Sequence, residues 1–140
     1  MDDSRNNILQ FIKPQLLTVL STVSPDGVPE SATVECAVTD EFEVVFDTFR
    51  SFRKYRNLCN NPNVALVFGC RDDVTVQLEG CVRLLDGELL DYYQTYYLRR
   101  IPSAKKFAEN PEVSWFCVTP RWIRYTDVSK EPWKVLEVNF

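Results

Sequence analysis

Apolar and polar residues alternate strictly in two long stretches of this chain, and that period of two constrains the fold more than any other feature. Ala32, Val34, Cys36 and Val38 alternate with Ser31, Thr33 and Glu35, and Val74, Val76 and Leu78 alternate with Thr75, Gln77 and Glu79. Successive side chains of a strand point to opposite faces, so each stretch predicts a strand with one buried face. The first is preceded by the strand-like LLTVLSTV and a Ser24-Pro25-Asp26-Gly27 turn, where proline fixes φ and glycine admits positive φ. It is followed by Thr39-Asp40-Glu41 and a strand from Phe42 to Thr48, so three consecutive antiparallel strands are expected. Val64 to Phe68, Val74 to Leu84, Val113 to Val118, Arg121 to Asp127 and Val135 to Phe140 read as further strands. Helical periodicity is confined to Ser4–Ile12, Ser51–Asn60, Glu88–Ile101 and Ser103–Glu109. With 140 residues there is room for one core. The expected architecture is mainly β (α+β): a single domain, residues 1–140, built as a six- to seven-stranded antiparallel barrel flanked by helices.

Composition removes several classes of function. The chain has no histidine, so no Ser/His or Cys/His nucleophile pair and no zinc site of the usual histidine-containing kind can be assembled. No catalytic or metal-ligating side chain is assigned, and any reaction is expected to borrow its reactive group from a cofactor. The net charge of −4 argues against nucleic acid as a partner. No apolar run reaches the roughly 18 residues of a membrane span, and MDDSRNN at the N-terminus is unlike a signal peptide, so no membrane is expected. Cys36, Cys59, Cys70, Cys81 and Cys117 are odd in number, lack CxxC spacing and mostly occupy apolar, strand-like runs. Buried reduced thiols in a cytoplasmic protein are the expectation.

The strongest local anomaly is Thr48-Phe49-Arg50-Ser51-Phe52-Arg53-Lys54-Tyr55-Arg56-Asn57, which places four cations within seven residues of an acidic chain. At a strand-to-helix junction free N–H groups favour an anion, arginine adds a bidentate fork and lysine a point charge, so a phosphate would fit. A solvated helix face carrying Arg50, Arg53 and Lys54 at i, i+3 and i+4 is an equally simple reading of the same residues. Tyr92, Tyr93, Tyr96 and Tyr97 share a helix face suited to core or interface packing, as are Trp115 and Trp133. Trp122 and Arg124, two apart on a strand, face the same way. Asp72 and Asp73 are adjacent in a turn and face apart, which makes acid/base work there improbable.

Taken in order, Gly27-Val28-Pro29, Phe46-Asp47-Thr48 followed by Arg53-Lys54, Asn61-Pro62-Asn63-Val64-Ala65-Leu66 and Gln77-Leu78-Glu79-Gly80 resemble the pyridoxamine 5′-phosphate oxidase-like split-barrel flavoproteins over roughly residues 14 to 86. The resemblance implies FMN at a homodimer interface, its phosphate met by Arg53 and Lys54 and its chain approached by Thr48. The flavin ring would lie along the strand of Ala32, Thr33, Val34, Glu35 and Cys36. Ser51 joins this set on physical grounds, since a hydroxyl near a helix start can donate to phosphate. Asp47 and Gln77 fall inside the matching motifs, and Thr75 stands where the authentic oxidase has glutamine. Trp122 and Arg124 are candidates to approach the ring from the C-terminal part. Two departures separate this chain from vitamin B6 oxidation: Ala32 replaces a basic residue, and the histidine-containing C-terminal motif is missing. The expected function is that of a homodimeric FMN-dependent oxidoreductase acting on a small, unidentified molecule. A non-catalytic flavin-binding or redox-sensing protein and a deazaflavin- or haem-binding relative are the alternatives.

Overall fold

A computed structural model describes residues 3–69 and 71–140, so Cys70 and the first two residues of the N-terminal segment lie outside the described residues. The element order is α1 (Asp3–Ile12), β1 (Leu17–Val23), β2 (Pro29–Glu35), β3 (Ala37–Val38), β4 (Val44–Phe49), α2 (Arg53–Asn60), β5 (Asn63–Phe68), β6 (Val74–Leu84), α3 (Gly87–Arg100), a 3-10 turn (Pro102–Ala104), α4 (Lys105–Ala108), β7 (Val113–Asp127) and β8 (Lys134–Asn139). The strands form one antiparallel sheet in the order β2-β1-β5-β6-β7-β4-β3, with β8 added to β7.

That order closes on itself through one residue. β2 pairs with β1 and β3 pairs with β4, yet β2 and β3 are a single run of chain interrupted only at Cys36. The bend there carries the chain from one edge of the sheet to the other and curls it into a barrel. Among the described residues no ladder joins β2 to β4, so the barrel wall is split between them. The expected split-barrel architecture is present, with seven strands once β2 and β3 are taken as one run.

The late strands differ from expectation. Val113–Val118 and Arg121–Asp127 are one continuous strand, not two. β7 pairs with β6 along one edge, while its other edge is taken first by β4, against Val113–Val118, and then by β8, against Trp122–Asp127. Pro120, between the two expected strands, falls at this handover, where neither β4 nor β8 pairs with it. On the other side the register shifts between Glu79 and Gly80, and a Cβ on Gly80 would stand 2.4 Å from the Thr119 carbonyl oxygen. Only glycine allows the strands to approach there.

Two cores lie on the two sides of β4. Val44 and Phe46 face the barrel interior with Leu20, Leu66, Leu78 and Phe116, and the Phe46 and Phe116 rings stack at 5.5 Å. Val45 and Phe49 face the helices with Tyr93, Tyr97, Val113 and Trp115, and Tyr97 meets Trp115 edge-on at 4.9 Å. The four tyrosines therefore do not act as one face. Tyr93 and Tyr97 are buried one turn apart, Tyr96 donates to the Val38 carbonyl at 2.6 Å, and Tyr92 is 66% exposed. Trp115 is core, whereas Trp133 is exposed. Of the described cysteines, all free, Cys36 and Cys117 are buried, Cys81 is half-buried and Cys59 is exposed, so burial holds for only part of the expected set.

Candidate functional site

The split between β2 and β4 opens into two adjoining hollows. The first, the mouth, has about 330 Å³ and is lined by Leu20 and Thr22 of β1, Glu30, Ser31 and Ala32 of β2, and Ser51, Phe52, Arg53 and Lys54. The second, the chamber, has about 180 Å³ and lies deeper against the helices, lined by Thr33, Val34, Glu35, Asp47, Thr48, Phe49, Phe52, Lys54, Tyr97, Phe107 and Val113. Phe52 and Lys54 border both.

The mouth is built where β4 ends. Arg50 donates from its backbone to the Glu112 carbonyl and from Nε to the Ser114 hydroxyl at 3.1 Å, which fixes the turn. α2 then begins at Arg53, with Phe52 in extended conformation at the cap and no side chain capping it. Ser51 precedes the cap, is exposed and borders the mouth. The start of α2 at Arg53 corrects the helix-face reading: Arg50 lies in the turn, outside the helix. Across the opening, Glu30 accepts from Arg53 at 3.3 Å and from the buried Asn57 amide at 2.8 Å, and Asn57 also donates to Thr22 at 2.9 Å. Lys54 has no carboxylate partner among the described residues. Its ammonium lies 5.0 Å from the Phe52 ring centre and is half-buried, and burial together with the Arg53 charge holds its pKa below the ordinary lysine value.

The chamber has the opposite character. Asp47 leaves β4 on the helix-facing side, and its Oδ2 is buried with no hydrogen-bond partner. Burial, reinforced by the Glu35 charge, pushes its carboxyl up to about 6. The Tyr97 hydroxyl also makes no hydrogen bond among the described residues, and burial and then the Asp47 charge push its pKa upward. Cys36, at the bend, faces the barrel core, and burial pushes its thiol up to about 12, which leaves it unreactive at neutral pH.

Apart from Cys36, which lies in the barrel core, the expected residues fall into two groups. Ala32, Thr33, Val34, Glu35, Asp47, Thr48, Ser51, Arg53 and Lys54 border the cleft. Thr75, Gln77, Trp122 and Arg124 do not. They lie on the outer face of the sheet, in or beside one cross-strand row that runs Thr33, Val19, Val67, Gln77, Arg124, Glu137. At ~4.8 Å per strand, Gln77 is about 14 Å from Thr33 along that row. Arg124 stacks over Trp122 at 5.5 Å, as their spacing implies, and its Nε donates to Glu137 at 2.7 Å. Glu30, Phe52, Asn57, Tyr97 and Phe107 were not legible as site residues, because each is an ordinary polar or aromatic residue until α2 or α3 folds over the split.

A closed antiparallel barrel split at a cationic strand-to-helix turn is the arrangement the sequence motifs imply, and the family model for pyridoxamine 5′-phosphate oxidase matches residues 5–127. The chain belongs to this family. The pyridoxine/pyridoxamine 5′-phosphate oxidase of Trichormus variabilis is 34% identical over 85 residues, which is 60% of this chain and 39% of that protein. The match thus spans well under half the length of such curated relatives. Two solved structures share the fold. A haem binding protein from Mycobacterium smegmatis superimposes with a TM-score of 0.86 over 99% of this chain and 59% of that one, at 14% identity. A pyridoxamine 5′-phosphate oxidase-related, FMN binding protein from Nostoc punctiforme superimposes with a TM-score of 0.70 over 100% of this chain and 98% of that one, also at 14% identity. No helix among the described residues is long and apolar enough to cross a membrane.

Proposed function

We propose that the cleft binds FMN, with the phosphate at the mouth and the ring directed along β2, and that the protein is a flavin-dependent oxidoreductase for a small substrate. The observation that carries this reading is Lys54: a half-buried ammonium without a carboxylate, next to Arg53 and to the uncapped first turn of α2, in a chain of this family. Such a charge is costly unless an anion meets it, and a phosphate supplies two charges and several acceptor oxygens. The residues present fit the group, since Arg53, Lys54 and the Ser51 hydroxyl border one opening and the Phe52 ring lies beside it. Bound FMN supplies hydride chemistry at its N5. The chain's own residues hold the phosphate, orient the ring against β2 and exclude water with Phe49, Phe52 and Phe107. The chain has no histidine, and vitamin B6 oxidation is not part of this proposal. The free thiols suit a reducing, cytoplasmic setting.

The same reading makes the functional unit a homodimer. Gln77, Thr75 and Arg124 are exposed on an outer face that also presents Leu17, 57% exposed, and Val67. These residues do not border the cleft of their own subunit, so the cofactor they would approach is one bound by a second copy. Purified protein is expected to show the absorption bands of oxidised flavin, or to acquire them on adding FMN, and FMN should lower the dimer dissociation constant in sedimentation equilibrium. A Soret band, or a monomer that binds FMN with undiminished affinity, would overturn the cofactor or the dimer respectively.

A further inference from the structure

The deeper chamber holds polar groups that the phosphate reading leaves unused. Asp47 Oδ2 is buried without a partner, the Tyr97 hydroxyl beside it is also unpartnered, and Lys54 reaches the same space from the mouth. The chamber therefore presents one strong acceptor with one donor, the Tyr97 hydroxyl, beside it. Buried polar atoms in folded proteins are nearly always satisfied, and an orphan facing a cavity calls for a group that enters the cavity. A simple cation is a poor candidate, because Lys54 would repel it. The complementary pattern is an N–H with a carbonyl oxygen next to it, which the imide edge of a flavin ring presents.

Building on the FMN reading, we infer that Asp47 is the residue that selects the flavin ring, accepting a hydrogen bond from the imide N–H while the Tyr97 hydroxyl serves a carbonyl beside it and Lys54 stays with the phosphate. The ionisable groups that line the chamber with Asp47 are Glu35 from β2, Lys54 from α2 and Tyr97 from α3, and Phe107 and Val113 line its apolar part. Glu35 opposes ionisation of Asp47, as does burial, so the free chamber holds its proton up to about pH 6. A ring that donates to the carboxylate binds the ionised form, and protons compete with it below that pH.

Riboflavin is the suitable probe, since a phosphate itself titrates near pH 6. Its affinity for the wild-type protein should rise about tenfold between pH 5 and pH 7, and this rise should vanish in Asp47→Asn. At pH 7 riboflavin should bind about ten- to a hundredfold more tightly than riboflavin methylated at the imide nitrogen, and in Asp47→Ala the ratio should fall toward one. A pH-independent wild-type affinity, or a preference for the unmethylated ring that survives in Asp47→Ala, would overturn the assignment of Asp47 while leaving FMN binding intact. If FMN and riboflavin both fail to bind the wild-type protein, the flavin reading falls and this one with it.

Discussion

The mouth and the chamber of the cleft share Phe52 and Lys54 but solve opposite electrostatic problems. At the mouth, Arg53 is 78% exposed on its side chain and already balanced by Glu30, which is itself held by Asn57. Water and a counter-ion cover most of its cost, so it is a charge in waiting. In the chamber, Asp47 has no counter-ion among the described residues and its Oδ2 no partner, and burial shifts its proton affinity instead. Lys54 belongs to both regions, half-buried and without a carboxylate partner among the described residues. The comparison teaches that concentrated charge in a sequence marks where an anion can arrive. A single carboxyl under a helix marks where a ligand is discriminated.

If the mouth is the phosphate site, Lys54 and not Arg53 should carry most of the affinity, because Arg53 must first be shared with Glu30. Lys54→Ala is expected to weaken FMN by about ten- to a hundredfold, or about 1.5 to 3 kcal/mol, with a smaller loss in Arg53→Ala. Riboflavin should be little affected by either. Fluorescence-quenching titrations of both flavins separate the terms, and equal losses for FMN and riboflavin in Lys54→Ala would place the lysine against the ring and not the phosphate.

The chamber can be tested without any ligand. A carboxyl whose folded pKa lies above its unfolded value favours the folded state in its protonated form, so Asp47 costs stability as pH rises from about 4 through about 6. At pH 7 the full cost is present, and Asp47→Asn should raise stability by on the order of 1 to 2 kcal/mol, discounted for water at the chamber opening. Near pH 4 the two proteins should melt together. Thermal unfolding of both across that range decides the matter, and a variant less stable at pH 7 would mean that the carboxylate has a partner in solution.

Much of the fold was legible because β periodicity is local. The alternation in Ser31–Val38 and Val74–Glu79 and the Ser24–Gly27 turn each report strand faces without tertiary information. The expected gap between Val118 and Arg121 is absent, since a proline there, Pro120, breaks a strand only where its N–H is needed, and which neighbour needs it depends on where β4 gives way to β8. The site was legible in the same uneven way. Four cations in seven residues stand out in an acidic chain, so Arg53 and Lys54 could be named. Glu30, Asn57 and Thr22 come from three elements and meet only in the folded barrel. Asp47 could be named only as part of a motif, because its unusual state is imposed by Tyr97 and Phe107, some 50 and 60 residues later in the chain. Gln77 and Arg124 pair directly across β6 and β7, but nothing in the sequence says that their row faces away from the cleft of their own chain.

The smallest expected effect is the most informative about the mouth. Glu30 accepts from Arg53 and from Asn57, so its charge competes with an arriving phosphate while its oxygen atoms also organise the opening. Glu30→Gln keeps an acceptor for the Asn57 amide and removes only the charge. Because the Arg53 side chain is mostly exposed, the ion pair is worth no more than about 1 kcal/mol, and releasing it should tighten FMN roughly two- to fivefold. The gain should shrink with added salt, and riboflavin, with no phosphate, should bind the variant and the wild type alike. If Glu30→Gln weakens FMN instead, the carboxylate is holding Arg53 in its working position. The mouth would then be a preorganised site like the chamber, and the contrast between the two regions would come down to Lys54 alone.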